Sequence, residues 1–279
     1  MKTIAIIGLG LIGGSVSMAL RGFEDYTVVG VDIDPDTLEY ARGNGVADVI
    51  TEDALGAIRE ADVTFLCLHP GGIVHFMEEH KNNFKPGSLV TDVCGIKTAI
   101  MEGAKVLPDC VDFIGCHPMA GKETSGVFNA EKTLFQRAHF ILTPRAESRP
   151  ENIALMERMG RYMGFRDVVN TTSQHHDAII AYTSQVMHIV AVAVCDDADL
   201  FSCRGFEGGS FRDCTRVAAL DVPLWTELFS MNAPALVSVI RRLEDNLRSY
   251  RETIERGEAR ALADKLEFSA ARKRKMNLE

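Results

Sequence analysis

A glycine-rich turn near the N-terminus constrains the fold of this chain more than any other feature. Gly8, Gly10 and Gly13 form the pattern G-x-G-x-x-G between the apolar run Thr3–Ile7 and a helical pattern over Ser15–Gly22. In a strand–turn–helix unit the first glycine permits the tight turn and the second lets backbone approach a pyrophosphate. The third lets the helix pack on the strand. The pattern therefore predicts a dinucleotide-binding βαβ fold.

Neighbouring residues indicate which dinucleotide binds. The amides of Leu11 and Ile12, at the helix N-terminus, would face the phosphates. Asp32 follows a second apolar run, Thr27–Val31, and a carboxylate there accepts hydrogen bonds from a ribose diol and repels a 2′-phosphate. We therefore predict NAD rather than NADP. Asp34 is a rival for the ribose, but its place before a proline favours a helix cap. The other alternative is a glycine turn that binds nothing.

Short apolar strands alternate with helical stretches over the first part of the chain. After the first two, strands are predicted at 63–68, 88–91, 113–116, 140–142 and near 168. This alternation implies α/β architecture, a Rossmann-type doubly wound parallel sheet with helices on both faces. From about Thr171 no strand is predicted, and helical patterns follow at 176–197, 223–230, 234–256 and 258–275. We expect a sheet domain over 1–170 and an all-helical domain over 171–279.

Composition and charge argue against several classes of partner. The chain has 30 Lys and Arg against 39 Asp and Glu, a net charge of −9, which disfavours nucleic acid and anionic membranes. The basic run at 272–275 is favoured at a helix C-terminus by the helix dipole. Seven cysteines without a C-x-x-C pair are typical of reduced thiols in a cytoplasmic protein. We expect no metal site, no signal peptide and no segment long enough to span a membrane.

A candidate catalytic residue lies in the run Phe113–Glu123. His117 precedes Pro118, which cannot extend a strand ladder, and Gly121 permits a sharp reversal. We therefore expect the imidazole at a fixed strand end, where it can exchange a proton near neutral pH. A surface turn with an incidental histidine is the alternative.

Polar side chains also follow another strand and interrupt an apolar helix. The run 91–97 places Lys97 at the start of a helix on the same sheet edge. The apolar helix predicted at 176–197 carries His176, Asp177, Ser184, Gln185 and His188. Ser184 and His188 share one helix face at i, i+4 spacing. A satisfied core network is the alternative for this stripe.

A short run further on offers two arginines and an acid within one and a half helical turns. Phe211–Arg216 contains Arg212, Asp213 and Arg216. Such a cluster can hold a carboxylate through charge-assisted hydrogen bonds. Taken alone, it is more often a structural salt-bridge cluster.

Together these motifs resemble the prephenate/arogenate dehydrogenase family of tyrosine biosynthesis. The resemblance covers nearly the whole chain, through G-L-G-L-I-G-G-S, T-D-V-x-x-x-K, H-P-M-A-G-x-E-x-S-G, H-D-x-x-x-A-x-x-S-x-x-x-H, F-R-D-x-T-R and D-x-P-x-x-W. Many dehydrogenases share the nucleotide motif, whereas the motifs at 117–126 and 211–216 are far more specific. In this family an N-terminal Rossmann domain precedes a C-terminal all-helical dimerisation domain, which agrees with the break near Thr171.

The resemblance implies roles for individual residues. His117 matches the catalytic histidine that takes the proton of the ring hydroxyl. Arg216 matches the arginine that binds a substrate carboxylate, and His188 matches a histidine lining the substrate pocket. Glu123 and Asp213 match acids that form an ionic network with that arginine. The remaining candidate substrate-binding residues are Lys97, Ser184 and Gln185.

Two positions depart from the family pattern. The family usually has serine where this chain has Gly95, and that hydroxyl supports the catalytic histidine. Cys94, Ser184 or a water would have to take its place. Many members have S-H-x-P-H where this chain has S-Q-V-M-H, so Gln185 changes the polar lining of the pocket and bears on the choice of substrate.

The resemblance implies NAD-dependent oxidative decarboxylation of prephenate to 4-hydroxyphenylpyruvate, with arogenate as the alternative substrate. Another β-hydroxyacid dehydrogenase-like enzyme is less favoured. Such enzymes use a lysine base on the long helix, and 176–197 contains no lysine. A nucleotide-sensing module with a dead site is a further alternative, for which Gly95 is the only hint. The apolar helix at 182–194 has more hydrophobic surface than the following helices can cover, which predicts a homodimer.

Overall fold

The computed structural model describes residues 2–277. Its strands are β1 (Lys2–Ile7), β2 (Tyr26–Val31), β3 (Val49–Thr51), β4 (Val63–Leu66), β5 (Leu89–Asp92), β6 (Asp112–Pro118), β7 (His139–Pro144) and β8 (Asp167–Asn170). They form one eight-stranded sheet in the order β3-β2-β1-β4-β5-β6-β7-β8. The strand order reverses direction at β1, as in doubly wound sheets that bind nucleotides at this point.

The far edge of the sheet corrects the prediction of a wholly parallel arrangement. Strands β1 to β6 pair in parallel, but β7 is antiparallel to β6, and β8 is parallel to β7. A parallel neighbour requires a long crossover connection, usually a helix. The connection from 119 to 138 has only the short 3₁₀ turn Val127–Asn129, so the chain returns beside β6 in the opposite direction. The three-residue edge strand β3 was not predicted.

Helices connect the strands and continue after the sheet ends. They are α1 (Leu11–Leu20), α2 (Pro35–Gly43), α3 (Ala54–Glu60), α4 (Pro70–His80), α5 (Thr98–Gly103), α6 (Pro150–Tyr162), α7 (Ser173–Ile180), α8 (Val186–Cys195), α9 (Gly209–Thr215), α10 (Val222–Met231), α11 (Ala233–Glu255) and α12 (Ala259–Met276). A π-helical turn, Ala181–Gln185, joins α7 to α8.

Apolar cores cover both faces of the sheet because successive strand residues point to opposite sides. Ile4 and Ile6 of β1 belong to one buried cluster, with residues of α1 and α6. Ala5 and Ile7 belong to a second cluster, with residues of α3, α4 and α5. This two-sided burial confirms the predicted α/β, doubly wound fold.

The chain divides into two compact units, Met1–Ala233 and Pro234–Glu279. The last strand ends at Asn170, and no strand follows it among residues 171–277, as predicted. The first unit therefore includes helices α7 to α10 as well as the sheet. The assignment of a dinucleotide-binding domain to 1–170 and a substrate and dimerisation domain to 171–279 stays a prediction.

The second unit is a helical pair. Gly257, with φ of +66°, lies in the turn between α11 and α12. Lys265 of α12 reaches back to α11, where its Nζ donates to the carbonyl oxygen of Ser249 at 3.1 Å and to Oγ1 of Thr253 at 3.0 Å. These bonds fold the second helix back onto the first.

One helical stretch corrects the expectation about membrane spans. By length and composition alone, Ser173–Cys195 is long and apolar enough to cross a membrane. Its polar residues nevertheless bond to the rest of the first unit: Asp177 accepts from the N–H groups of Lys97 and Thr98, and Gln185 bonds to Asn232. Only 28% of its apolar window is buried within the chain, so the helix keeps an exposed apolar face.

Candidate active site

The glycine-rich turn joins β1 to α1 through backbone that larger residues would not fit. Gly8 has a φ of +94°, and a Cβ on Gly13 would lie 1.9 Å from the carbonyl oxygen of Gly8. Gly10 differs, because a Cβ there would meet no atom within 4 Å. The N-terminus of α1 has no side-chain cap. The amides of Leu11 and Ile12 are therefore available to a phosphate group.

Asp32 follows β2 beside the same turn. Its Oδ2 accepts from the N–H of Leu9 at 2.7 Å, and its Oδ1 accepts from the N–H groups of Ile33 at 2.8 Å and Asp34 at 3.0 Å. These bonds fix the carboxylate across the turn and leave Oδ2 an acceptor direction for a hydroxyl. Asp34 caps α2 instead, accepting from the N–H of Thr37 at 2.9 Å.

His117 lies in β6, one residue before the strand ends. Its Nδ1 is 2.9 Å from Nε2 of His176 on α7, and Nδ1 of His176 is 2.8 Å from Oδ1 of Asp177. Asp177 also accepts from the backbone N–H groups of Lys97 at 2.8 Å and Thr98 at 2.7 Å. A continuous line of two imidazoles and a carboxylate therefore connects β6, α7 and the start of α5.

The surroundings of His117 favour its neutral form. Burial lowers the pKa of His117 well below its ordinary value of 6.5, and His176 and Lys97 lower it further against the opposing effect of Asp177. Burial would raise the pKa of Asp177, but hydrogen bonds from His176, Thr98 and Lys97 outweigh burial and hold that pKa below its ordinary value. At neutral pH an uncharged imidazole therefore lies near an ionised carboxylate.

Lys97 lies in the interior rather than in the open part of the site. Its side chain is fully buried, and its Nζ pairs with Asp92 at the end of β5 and donates to the carbonyl oxygen of Cys116 at 2.7 Å. Asp92 also accepts from the N–H of Cys94 at 2.8 Å. This burial leaves the ammonium no open path to a substrate. The predicted substrate contact of Lys97 is therefore replaced by a supporting contact at the ends of β5 and β6.

Gly95 faces the ring of His117. A Cβ on Gly95 would lie 3.9 Å from both Cε1 and Nε2 of His117, which is ordinary van der Waals contact. A serine would fit there, with its Cβ also 3.6 Å from Cδ2 of Leu228. Within residues 2–277, the hydrogen-bond partner of the His117 ring is His176, not Cys94 or Ser184.

Gln185 lies in a buried amide network. Its Nε2 donates to the carbonyl oxygen of Leu228 at 3.0 Å, and its Oε1 accepts from Nδ2 of Asn232 at 2.7 Å. Asn232 also donates to the carbonyl oxygen of Asp177 at 3.0 Å. Gln185 is 1% exposed, so the predicted pocket lining is replaced by a bridge between the π-helical turn and α10. Asn232 was missed because a lone asparagine after a helix belongs to no motif.

Ser184 and His188 lie at the π-helical turn and on α8, respectively, and both are half-buried. Nδ1 of His188 is 3.1 Å from the carbonyl oxygen of Ser184, so Nδ1–H donates and Nε2 stays free to accept. The His188 ring stacks on Trp225 with centroids 3.6 Å apart. Burial lowers the pKa of His188, which favours the neutral ring at pH 7.

Arg216 and Glu123 form an ion pair at the surface, where their side chains are 59% and 48% exposed. Asp213, on α9, is exposed and forms no ion pair within the part of the chain that the structure describes. The structure therefore brings together two of the three members of the predicted ionic network.

The arrangement can bind a dinucleotide and exchange a proton. The glycine turn and Asp32 present donors and an acceptor for a nucleotide, and His117 lies near the carboxyl ends of the parallel strands of the same sheet. The sequence places His176 only in a polar stripe, and the H-D pair at the start of an apolar helix is the signal for its position beside His117. Among residues 2–277, no group of three or more His, Cys, Asp or Glu side chains is placed to hold a metal ion.

Two family models match the chain in succession. The model for the nucleotide-binding domain of prephenate dehydrogenase matches residues 16–168, and the model for the prephenate dehydrogenase dimerization domain matches residues 172–268. The chain belongs to the prephenate dehydrogenase family. This membership confirms the predicted resemblance and makes the protein a dehydrogenase with an N-terminal nucleotide-binding domain and a C-terminal helical domain.

Individual members of the family show how far the similarity extends. A cyclohexadienyl dehydrogenase of Zymomonas mobilis is 32% identical over 91% of this chain and 88% of its own length. A crystal structure of prephenate dehydrogenase from A. aeolicus, in complex with hydroxyphenyl propionate and NAD+, has a TM-score of 0.87 at 26% identity, covering 100% of this chain and 99% of that one. Synechocystis arogenate dehydrogenase has a TM-score of 0.83 at 28% identity, covering 98% and 99%.

Proposed function

We propose that the protein catalyses NAD-dependent oxidative decarboxylation of prephenate to 4-hydroxyphenylpyruvate. The observation that carries this proposal is a neutral His117, held by His176, on the sheet that also carries the glycine turn. The related A. aeolicus enzyme in complex with NAD+ and hydroxyphenyl propionate supports the cofactor and an aromatic ligand with a carboxylate.

The nucleotide turn fits a dinucleotide. Open space at Gly10 and the uncapped start of α1 suit a pyrophosphate. Asp32 suits a ribose hydroxyl and opposes a 2′-phosphate, which favours NAD over NADP. When bound, NAD supplies the hydride acceptor.

In the proposed reaction the residues of the chain hold the substrate and accept one proton. Neutral His117 takes the proton of the ring hydroxyl as the carbinol carbon is oxidised. The resulting ring ketone loses the ring carboxylate as CO₂, and aromatisation makes the reaction practically irreversible. The enzyme therefore needs mainly to place base and substrate together, because the ring supplies the driving force.

Arg216 is the proposed anchor for a substrate carboxylate. Arg216 is exposed and already pairs with the carboxylate of Glu123, which supports this role. A substrate carboxylate can take the place of the Glu123 carboxylate on the guanidinium. His188 offers a free Nε2 and Ser184 a hydroxyl as further polar contacts. Asp213 is proposed as an outer member of this ionic network.

Arogenate is the second candidate substrate. It differs from prephenate in carrying an amino group where prephenate carries a keto group on the side chain. Arogenate is supported as a candidate by the similarity to Synechocystis arogenate dehydrogenase and to the cyclohexadienyl dehydrogenase of Zymomonas mobilis. Steady-state kinetics with both substrates and both cofactors test the proposal. Of the four substrate and cofactor combinations, prephenate with NAD is expected to give the highest specificity constant. If neither substrate is turned over, the proposed activity is wrong and a nucleotide-sensing module is the remaining alternative.

We further propose that the protein acts as a homodimer in the cytoplasm. The helical stretch Ser173–Cys195 keeps apolar side chains in solvent, among them Ile179, Tyr182, Met187 and Val194. The match of residues 172–268 to a dimerization domain supports a second copy as the partner of this face. All seven cysteines are free, which suits a reducing compartment. A monomeric mass at micromolar concentration would contradict the dimer.

A further inference from the structure

His117 has two ring nitrogens, and their surroundings differ. Nδ1 faces Nε2 of His176 at 2.9 Å. Nε2 faces the position of Gly95, where a Cβ would lie 3.9 Å away. Nδ1 is therefore bonded within the protein, and Nε2 has no hydrogen-bond partner among residues 2–277. Only one of them can carry the proton of a neutral ring, and which one decides whether the open nitrogen is able to act as a base.

Asp177 determines the direction of the hydrogen bonds along this line. Its two oxygens accept from the backbone N–H groups of Lys97 and Thr98. These bonds, together with the one from His176, keep its pKa low despite burial, so the carboxylate is ionised and can only accept. Nδ1 of His176, 2.8 Å from Oδ1 of Asp177, must therefore carry a proton and donate it.

The proton on His176 in turn determines which nitrogen of His117 carries a proton. In a neutral His176 with the proton on Nδ1, Nε2 has a lone pair and can only accept. The hydrogen bond to Nδ1 of His117 then requires that Nδ1 carries the proton. Nε2 of His117 is left with a free lone pair on the side of the ring near Gly95.

We infer that His176 and Asp177 are positioning residues that fix His117 in the Nδ1–H tautomer, so that its Nε2 is the proton acceptor of the reaction. This inference rests on the proposed function for the role of His117 as base. His117 is thus held from the side opposite Gly95, through an imidazole backed by a carboxylate.

Lys97 supports the line of groups through its backbone, and its side chain bonds elsewhere. Its backbone N–H bonds to Asp177, while its side chain pairs with Asp92 on the other side. The carboxylate of Asp177 therefore has no direct contact with the ammonium of Lys97 and remains free to accept from His176. The start of α5 thus orients the line of groups that ends at His117.

Nuclear magnetic resonance of the full chain, labelled with ¹⁵N-histidine and saturated with NAD, tests the tautomer directly. Ring nitrogens that carry a proton resonate far from those that do not, and His117→Asn assigns the signals among the eight histidines. The expected result is a proton on Nδ1 of His117 and none on Nε2. Asp177→Leu removes the acceptor that holds the proton on Nδ1 of His176, so the proton on His117 should no longer be confined to Nδ1. A wild-type His117 that carries its proton on Nε2 would overturn the inference.

Kinetics of paired variants test the consequence. His176→Gln keeps a donor toward Asp177 and an acceptor toward His117, whereas His176→Leu keeps neither at similar volume. We expect kcat of the Leu variant to fall about 10²- to 10⁴-fold with little change in KM, and kcat of the Gln variant to fall less than about tenfold. His175→Gln, on the exposed neighbouring residue of α7, is the matched control and should match the wild type.

The outcomes separate this inference from the proposed function. If the wild type oxidises neither prephenate nor arogenate, the proposed function fails, while the ¹⁵N spectrum still decides the tautomer. If the wild type is active and His176→Leu keeps its kcat, the positioning role is wrong although the activity stands. Should the His176→Leu variant fail to fold, as judged by thermal unfolding and NAD affinity, the wild-type spectrum decides alone.

Discussion

Two ion pairs of the first unit differ in almost every physical respect. Lys97 and Asp92 have fully buried side chains, whereas Arg216 and Glu123 are 59% and 48% exposed. Breaking a buried pair strands a charge in a low-dielectric interior. An exposed pair contributes little to stability because water and salt screen it. The buried cation therefore supports the sheet edge, and the exposed cation is the one that a substrate carboxylate can reach.

The largest effect is expected from breaking the buried pair. Lys97→Met leaves Asp92 without its counter-charge, so the free energy of unfolding should fall by about 3–5 kcal/mol, measured by urea denaturation at pH 7. Lys105→Met, which removes an exposed i, i+3 pair with Glu102, is the control and should cost less than about 1 kcal/mol. Equal losses in the two variants would contradict the assigned roles.

Breaking the exposed pair should affect binding instead of stability. Arg216→Ala removes a charge-assisted contact to a carboxylate, so KM should rise about 10²-fold, a loss of about 3 kcal/mol, with kcat little changed. Urea denaturation should give nearly the wild-type free energy of unfolding. Arg161→Ala breaks a comparable exposed pair with Glu157 on α6 and should leave KM unchanged. An unchanged KM in Arg216→Ala would remove the proposed anchor.

Part of the site could be predicted from the sequence, and part could not. The glycine turn and Asp32 were predictable because short-range sterics and spacing determine them. The placement of Lys97 and Gln185 was not, because a polar residue beside a motif looks the same whether it faces a pocket or the interior. The buried side chain of Lys97 contacts Cys116, 19 residues away, and that of Gln185 contacts Asn232, 47 residues away. The antiparallel direction of β7 was not predicted, because the pattern of residues in a strand does not specify the direction in which it pairs.

The partly exposed carboxylate of Asp32 is expected to determine the choice of cofactor. Asp32 keeps an acceptor direction beside the glycine turn, and a 2′-phosphate there would meet like charge. We expect the specificity constant for NAD to exceed that for NADP at least tenfold, about 1.4 kcal/mol. Asp32→Asn should narrow the preference, while Asp34→Asn, which alters only the cap of α2, should not. Equal use of both cofactors by the wild type would contradict the assignment.

The smallest effect is expected at Gly95. A serine at Gly95 would meet ordinary contacts only, and His117 is already held from its other side by His176. We therefore expect Gly95→Ser to change kcat less than about fivefold. Gly95→Ala is the matched control, since it adds the Cβ without the hydroxyl. A gain of 10²-fold or more in the serine variant alone would show that the missing hydroxyl limits the enzyme.

The role of His117 as the base is tested by the pH dependence of kcat, compared between the wild type and His117→Asn. The base must be neutral to accept the hydroxyl proton, and burial lowers the pKa of His117 below 6.5. In the wild type, kcat should therefore be level at neutral pH and fall only at a pH well below 6.5, where His117 becomes protonated. His117→Asn should lose about 10²- to 10⁴-fold in kcat, keep KM nearly unchanged, and lose the acid limb. Full kcat in His117→Asn, or an acid limb that persists in it, would contradict the account.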